Sequence, residues 1–215
     1  MKRKIFYIFI FAVSMAYFES SVVVYLRQLY YPEGFAFPIK QIPTKMAIIE
    51  LGREASTILM LIALGVIAGK NFWQRFSYFM ITFGVWDIFY YIWLKIFIDW
   101  PCHLLTLDLL FLIPLPWSGP VLSPIIVSLS LVIAGIIILI IDNKGYVIAV
   151  TKKEWVFIFI GAALILFTYL KDGIIVMKGG VPREYNWFIF AIGELIGILI
   201  FIKNLFKIIM KREKI

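Results

Sequence analysis

Apolar positions in this chain come in long blocks, not in alternation. The blocks lie at about 5–27, 47–69, 74–98, 120–141, 155–177 and 186–207. A hydrocarbon layer about 30 Å thick takes about 20 residues of helix at about 1.5 Å each, so every block is long enough to cross one. Membrane strands would alternate apolar and polar residues, and these blocks do not. The pattern predicts an all-α polytopic membrane bundle of about six transmembrane helices. It forms a single integral membrane domain over residues 1–215. No low-complexity tract, linker or internal repeat divides it.

Two stretches admit a second reading. "MKRKIFYIFIFAVSMA" resembles a signal peptide, with Ser14 and Ala16 as small residues at a cleavage site. Apolar character resumes after Ser21, which favours a first span that stays in place. "LLTLDLLFLIPLPWSGP" (104–120) is barely long enough for a seventh span and holds Pro114 and Pro116. An interfacial or re-entrant segment near 100–118, a helix opening at Asp99-Trp100-Pro101, fits better. Aspartate caps free amides and proline suits a first turn. The loop "RQLYYPEGFAFPIKQIPTK" is aromatic and proline-punctuated. It reads as an interfacial aromatic belt, or more sharply as a lid over an outward cavity.

Composition supports the membrane reading: 63% of residues are hydrophobic and 16% charged. The net charge of +8 does not point to nucleic acid, because Lys and Arg gather at the ends of the apolar blocks. One side carries Lys2, Arg3, Lys4, Lys70, Arg75, Lys144, Lys152, Lys153, Lys203, Lys207, Lys211, Arg212 and Lys214. The other carries Arg27, Lys40, Lys45, Arg53, Lys95, Lys171, Lys178 and Arg183. The richer side is expected in the cytoplasm, which places both termini there in a multi-pass cell-membrane protein. The expected surroundings are the lipid bilayer.

Charge within the blocks is one-sided. Residues 5–18, 55–69, 76–86, 121–141, 155–170 and 195–202 hold no Asp, Glu, Lys, Arg or His. The other halves hold Glu19, Glu50, Arg53, Glu54, Asp87, Lys95, Lys171, Asp172 and Glu194, with Asp108 and His103 just before the fourth block. A charge at the bilayer centre costs about 2.5–3.5 kcal/mol on insertion scales, so such groups face the bundle interior, and either pair or lose charge. They predict a polar cavity in the extracytoplasmic half. Asp87, Glu194 and Glu19 lie deepest, about 12–18 Å from the span end, and are the candidate catalytic acids. Glu50, Arg53, Glu54, Trp86, Tyr90, Tyr91, Lys95, Asp108, Lys171 and Asp172 are expected to line the cavity.

Helical spacing refines this. Asp87, Tyr91 and Lys95 form one i,i+4 stripe, on which Tyr91 could bridge carboxylate and ammonium. Glu50, Arg53, Glu54 and Thr57 share a face, where Arg53 clamped by two carboxylates is the structural reading. Gly193 and Gly197 form a GxxxG, suited to an internal helix or, through a partner protein or second copy, to an interface. No metal site or cofactor is expected: His103 is the one histidine, Cys102 stands beside it without ligand spacing, and no Walker loop, dinucleotide fingerprint, HExxH or CxxC occurs. Ser118 in "PWSGP" has no histidine base after it.

Three functions remain. The favoured one is a non-catalytic component or assembly factor of a membrane complex. The second is a membrane-embedded enzyme on a lipid-like or isoprenoid substrate, with Asp87 or Glu194 as acid and Trp86, Tyr90, Tyr91 and Trp93 steadying a developing cation. Here "WDIFYY" and "LTLDLLF" resemble the Trp-acid-aromatic patches of small integral-membrane terpene cyclases. The resemblance covers those patches alone and carries over no residue assignment. The third is a proton-linked small-solute carrier, for which no span is visibly broken near its centre.

Overall fold

A computed structural model describes residues 2–146 and 148–212. Lys214 of the flank distribution lies outside them. Helix accounts for 73% of the described residues. Its helices are α1 (Lys2–Tyr30), α2 (Thr44–Ala68), α3 (Phe72–Ile98), α4 (Leu122–Asn143), α5 (Lys152–Leu170), α6 (Gly173–Met177) and α7 (Trp187–Arg212). Counting Lys152–Met177 as one, six helices are long and apolar enough to cross a membrane. Large apolar side chains such as Phe18, Leu59, Ile67, Phe159, Phe188 and Leu199 are exposed on their outer faces. In water such a surface would be untenable; it suits hydrocarbon.

Helix α3 is the hub, packing against α1, α2 and α4, while α5 and α7 form a second pair. Ile8, Ala12, Met15 and Ala16 of α1 meet Tyr78, Ile81, Val85 and Trp86 of α3, with Leu61 of α2 and Leu139 of α4 closing the core. A Cβ at Gly84 would stand 2.5 Å from the Ser128 carbonyl oxygen. Only glycine therefore lets α3 lie that close to α4. The GxxxG behaves differently at its two positions. A Cβ at Gly193 would fall 2.7 Å from the Gly161 carbonyl oxygen, so this glycine seats α7 on α5, whereas Gly197 has nothing within 4 Å.

The segment after α3 is not a helix. It is an antiparallel hairpin of β1 (Leu107–Phe111) and β2 (Trp117–Pro120), pairing Leu107 with Pro120, Asp108 with Gly119 and Leu109 with Ser118. Pro114 and Pro116 supply no amide proton and would clash inside a helix, so a reversal is the cheaper path. Asp99 adopts a left-handed conformation (φ 52°) that ends α3 instead of opening a new helix. The Val121 and Leu122 amides donate to the Thr106 and Leu104 carbonyls, which ties the hairpin base to the start of α4.

Polar contacts define the opposite end, where the termini lie. Lys4 donates to the Ala68 carbonyl at 2.6 Å, and Asn71 and Gln74 donate to Asp142 at 2.9 and 2.6 Å. Glu154 closes a capping box with Thr151 and pairs with Lys207 at 2.8 Å and Lys203 at 3.1 Å.

Candidate functional site

Helix α2 packs on α3, whereas α5 packs on α7 and β2. Between these two groups lies a cleft of about 1120 Å³, walled by α1 to α6, the 31–43 loop and the hairpin. Its end nearest the hairpin holds Glu19, Arg27, Glu50, Arg53, Glu54, Asp87 and Asp108. Toward the terminal end its walls turn apolar, with Phe79 and Phe83 on α3, Leu131 on α4, and Ala162 and Leu166 on α5. Trp86, Tyr90, Tyr91, Trp117 and Tyr169 add aromatic side chains to its lining. The cleft is thus amphipathic along its length.

The ionisable groups fall into three sets. In the first, Arg53 on α2 pairs with Glu19 of α1 and with Glu50 at 2.8 Å, and Thr57 donates to Glu19 at 3.0 Å. The clamp on Arg53 therefore comes from two helices. Glu54, expected on that face, instead accepts the backbone N–H of Leu112 at 2.9 Å and anchors the hairpin tip.

In the second, Arg27 at the end of α1 donates to Asp108 of β1 at 2.9 Å, with side chains 9% and 1% exposed. The Arg27 guanidinium lies 3.9 Å from the Trp100 ring centre and 4.6 Å from that of Phe35. Two aromatic faces and one carboxylate thus replace its water. Burial pushes the Asp108 carboxyl up to about 6, with Arg27 the main opposing influence. Its Oδ2 has no hydrogen-bond partner among the described residues.

The third is Asp87, which accepts a hydrogen bond from Ser128 of α4 at 2.8 Å. No cation among the described residues is in an ion pair with it. This corrects the expected Asp87–Tyr91–Lys95 bridge. Lys95 is half exposed and turns outward to Asp99 at 2.6 Å and the Pro101 carbonyl at 3.2 Å. Tyr91 packs toward Trp100, ring centres 6.4 Å apart. Helical spacing put the three residues on one stripe, but an exposed ammonium finds partners nearer water.

Two other expected lining residues and one candidate acid stand elsewhere. Asp172 is a buried node joining Lys171 at 3.0 Å and Arg183 at 2.8 Å, and it also accepts the Arg183 amide. Neither Lys171 nor Asp172 walls the cleft, and nor does Glu194 of α7, whose Oε1 is buried with no hydrogen-bond partner among the described residues. Cys102 is exposed and His103 faces Thr106 at 3.3 Å. No cluster of three or more His, Cys, Asp or Glu suited to a metal occurs among the described residues.

Sequence reasoning placed Arg27 among flanking charges and did not find Ser128, Trp100, Phe35 or the Leu112 amide. The aromatic 31–43 loop contributes Tyr31, Phe35 and Lys40 to the lining. No protein-family model, curated protein or solved structure matches the chain.

Proposed function

We propose that this is a multi-pass membrane protein that takes a lipid-like or isoprenoid amphiphile into the cleft and performs proton-transfer chemistry at its polar end, with Asp87 as the acting carboxyl. The observation that carries this reading is the polarity gradient of the cleft, ionisable near the hairpin and apolar toward the terminal end. A chain lying between α2 and α5 would bury its tail against Phe79, Phe83, Leu131 and Leu166 and bring its head to Asp87. Large apolar pockets with a few convergent polar groups are the usual form of small-molecule sites. Asp87 suits the acting role because its hydrogen bond from Ser128 orients it while no base among the described residues forms an ion pair with it. Glu194 has no such role, being outside the cleft. The aromatic side chains lining the cleft would steady positive charge developing on the substrate.

The Lys and Arg distribution supports a cell-membrane setting with both termini in the cytoplasm, which puts the hairpin on the extracytoplasmic side. The test is conversion of a lipid extract by purified protein, followed by mass spectrometry. Wild type should consume a species that Asp87→Asn leaves untouched while keeping its helical content and monodispersity. Identical lipid profiles with the two proteins would end the catalytic reading.

One observation favours a non-catalytic role in a complex: Gly197 faces open space on α7, where another helix could approach closely. A stoichiometric partner retained in mild detergent, and lost on Gly197→Leu, would support that reading over the enzyme.

A further inference from the structure

Glu194 is the deep acid that the cleft does not use. It lies seven residues into α7, about 10 Å along the axis from Trp187, and no other Asp, Glu, Lys, Arg or His stands between Glu184 and Lys203. Its Oε1 is buried with no hydrogen-bond partner, and it forms no ion pair among the described residues. A carboxylate at that depth pairs or gives up its charge, and Glu194 has no pairing partner within the bundle. One turn on, Gly197 leaves a notch, where a Cβ would meet nothing within 4 Å. The two belong to one seam. Glu194, Gly197, Phe201, Leu205 and Ile208 recur at spacings of 3 and 4 and are all half-buried, while Leu195, Leu199, Ile202 and Phe206 on the outer face are exposed. Gly193, seated against Gly161, lies on the neighbouring stripe. The seam is thus a flank of α7 that α5 leaves partly open.

We infer that this seam docks a transmembrane helix of another protein that carries a lysine or arginine at the depth of Glu194. Charge complementarity names the partner's residue: a base brings a donor to the unpartnered oxygen and a counter-charge in one group. The notch at Gly197 lets the incoming backbone approach closely. A second copy of this chain supplies no such base. Arg27, Arg53, Lys95, Lys171 and Arg183, on the same side of the bundle, are ion-paired within the chain. Lys40, Lys45 and Lys178 stand in the connections or at helix ends, away from that depth. A two-fold contact of α7 with α7 would instead set Glu194 against its own copy, like charge against like. None of the five seam residues walls the cleft, so docking here is separate from amphiphile binding.

The experiment reconstitutes the full chain in lipid vesicles with a donor dye on Cys102, the single and exposed cysteine. Two synthetic leucine–alanine helices long enough to span the bilayer carry the acceptor dye. One has a central lysine, the other a leucine in its place. Energy transfer, read against helix density in the membrane, should show the lysine helix associating about fivefold or more tightly than the leucine helix. Glu194→Ala should bring the lysine helix down to the level of the other, Glu194→Asp should keep most of the preference, and Gly197→Leu should weaken it. The ranking of the two helices on wild type needs no variant. Equal association of both, or a preference that survives Glu194→Ala, overturns the docking seam and leaves the amphiphile cleft standing. Transfer between donor-labelled and acceptor-labelled copies of the chain, lost on Glu194→Ala, overturns the foreign partner in favour of a second copy.

Discussion

Arg27→Met isolates the buried charge pair that holds the hairpin to α1. The change removes the donor 2.9 Å from Asp108 Oδ1 and leaves a carboxyl that is 1% exposed. Breaking a buried pair from one side costs about 3–5 kcal/mol, because the remaining charge has neither water nor partner. Loss of the contacts to Trp100 and Phe35 adds about 0.5–2 kcal/mol, of which the methionine thioether recovers part. The expected loss at pH 8 is therefore about 4 kcal/mol. It should also depend on pH. Folding raises the Asp108 carboxyl from 3.8 to about 6, so its contribution to stability is fully present below 3.8 and is lost as pH rises through about 6. Without Arg27 the folded value rises further, and that loss extends to higher pH. The gap between variant and wild type should then be widest near pH 8 and narrow toward pH 5. Unfolding in mixed micelles, titrated with dodecyl sulfate at each pH, reads it. Adding Asp108→Asn to Arg27→Met should abolish the pH dependence and recover much of the loss. A gap below 1 kcal/mol at pH 8, or one that does not change with pH, would refute the reasoning.

Four further outcomes follow from the same contacts. Gly193→Leu should cost about 1–3 kcal/mol by forcing α7 off Gly161, whereas Gly197→Leu should leave the stability of the lone chain unchanged, both by the same unfolding assay. Lys95→Ala should change stability by less than about 0.5 kcal/mol, since its pair with Asp99 is exposed. Thr151→Ala should cost about 1 kcal/mol through loss of the α5 capping box, seen as a lower melting temperature. Cys102, the single and exposed cysteine, should react with an impermeant maleimide added outside intact cells; labelling only after lysis would reverse the proposed orientation.

The helices were legible because each is apolar over more residues than a bilayer needs, a signal independent of tertiary detail. The hairpin was harder. Its Asp-Trp-Pro start looks like a helix opening, yet Asp99 is instead the left-handed close of α3, and that choice is made by backbone geometry and not by residue type. The site was legible only as a set of residues on the correct side of the bundle. Their partners are remote in sequence. Asp87 and Ser128 are 41 residues apart, Glu54 and the Leu112 amide 58, and Arg27 and Asp108 81. Helical spacing reports only neighbours within a helix. It therefore tied Asp87 to Lys95, whereas the contact across helices decides. Asp172 and Lys171 fit the same explanation: Arg183, which pairs with Asp172, and the Glu184 carbonyl, to which Lys171 donates, both come from the connection into α7.

The central claim is that the cleft holds one amphiphile. Native mass spectrometry of protein purified from membranes in gentle detergent, comparing wild type with Ala162→Phe, measures this directly. The account predicts one retained adduct per wild-type chain, detergent and bulk phospholipid excluded by mass, and its loss when Phe narrows the apolar end. A bare wild-type chain, or the same adduct on both proteins, would contradict it.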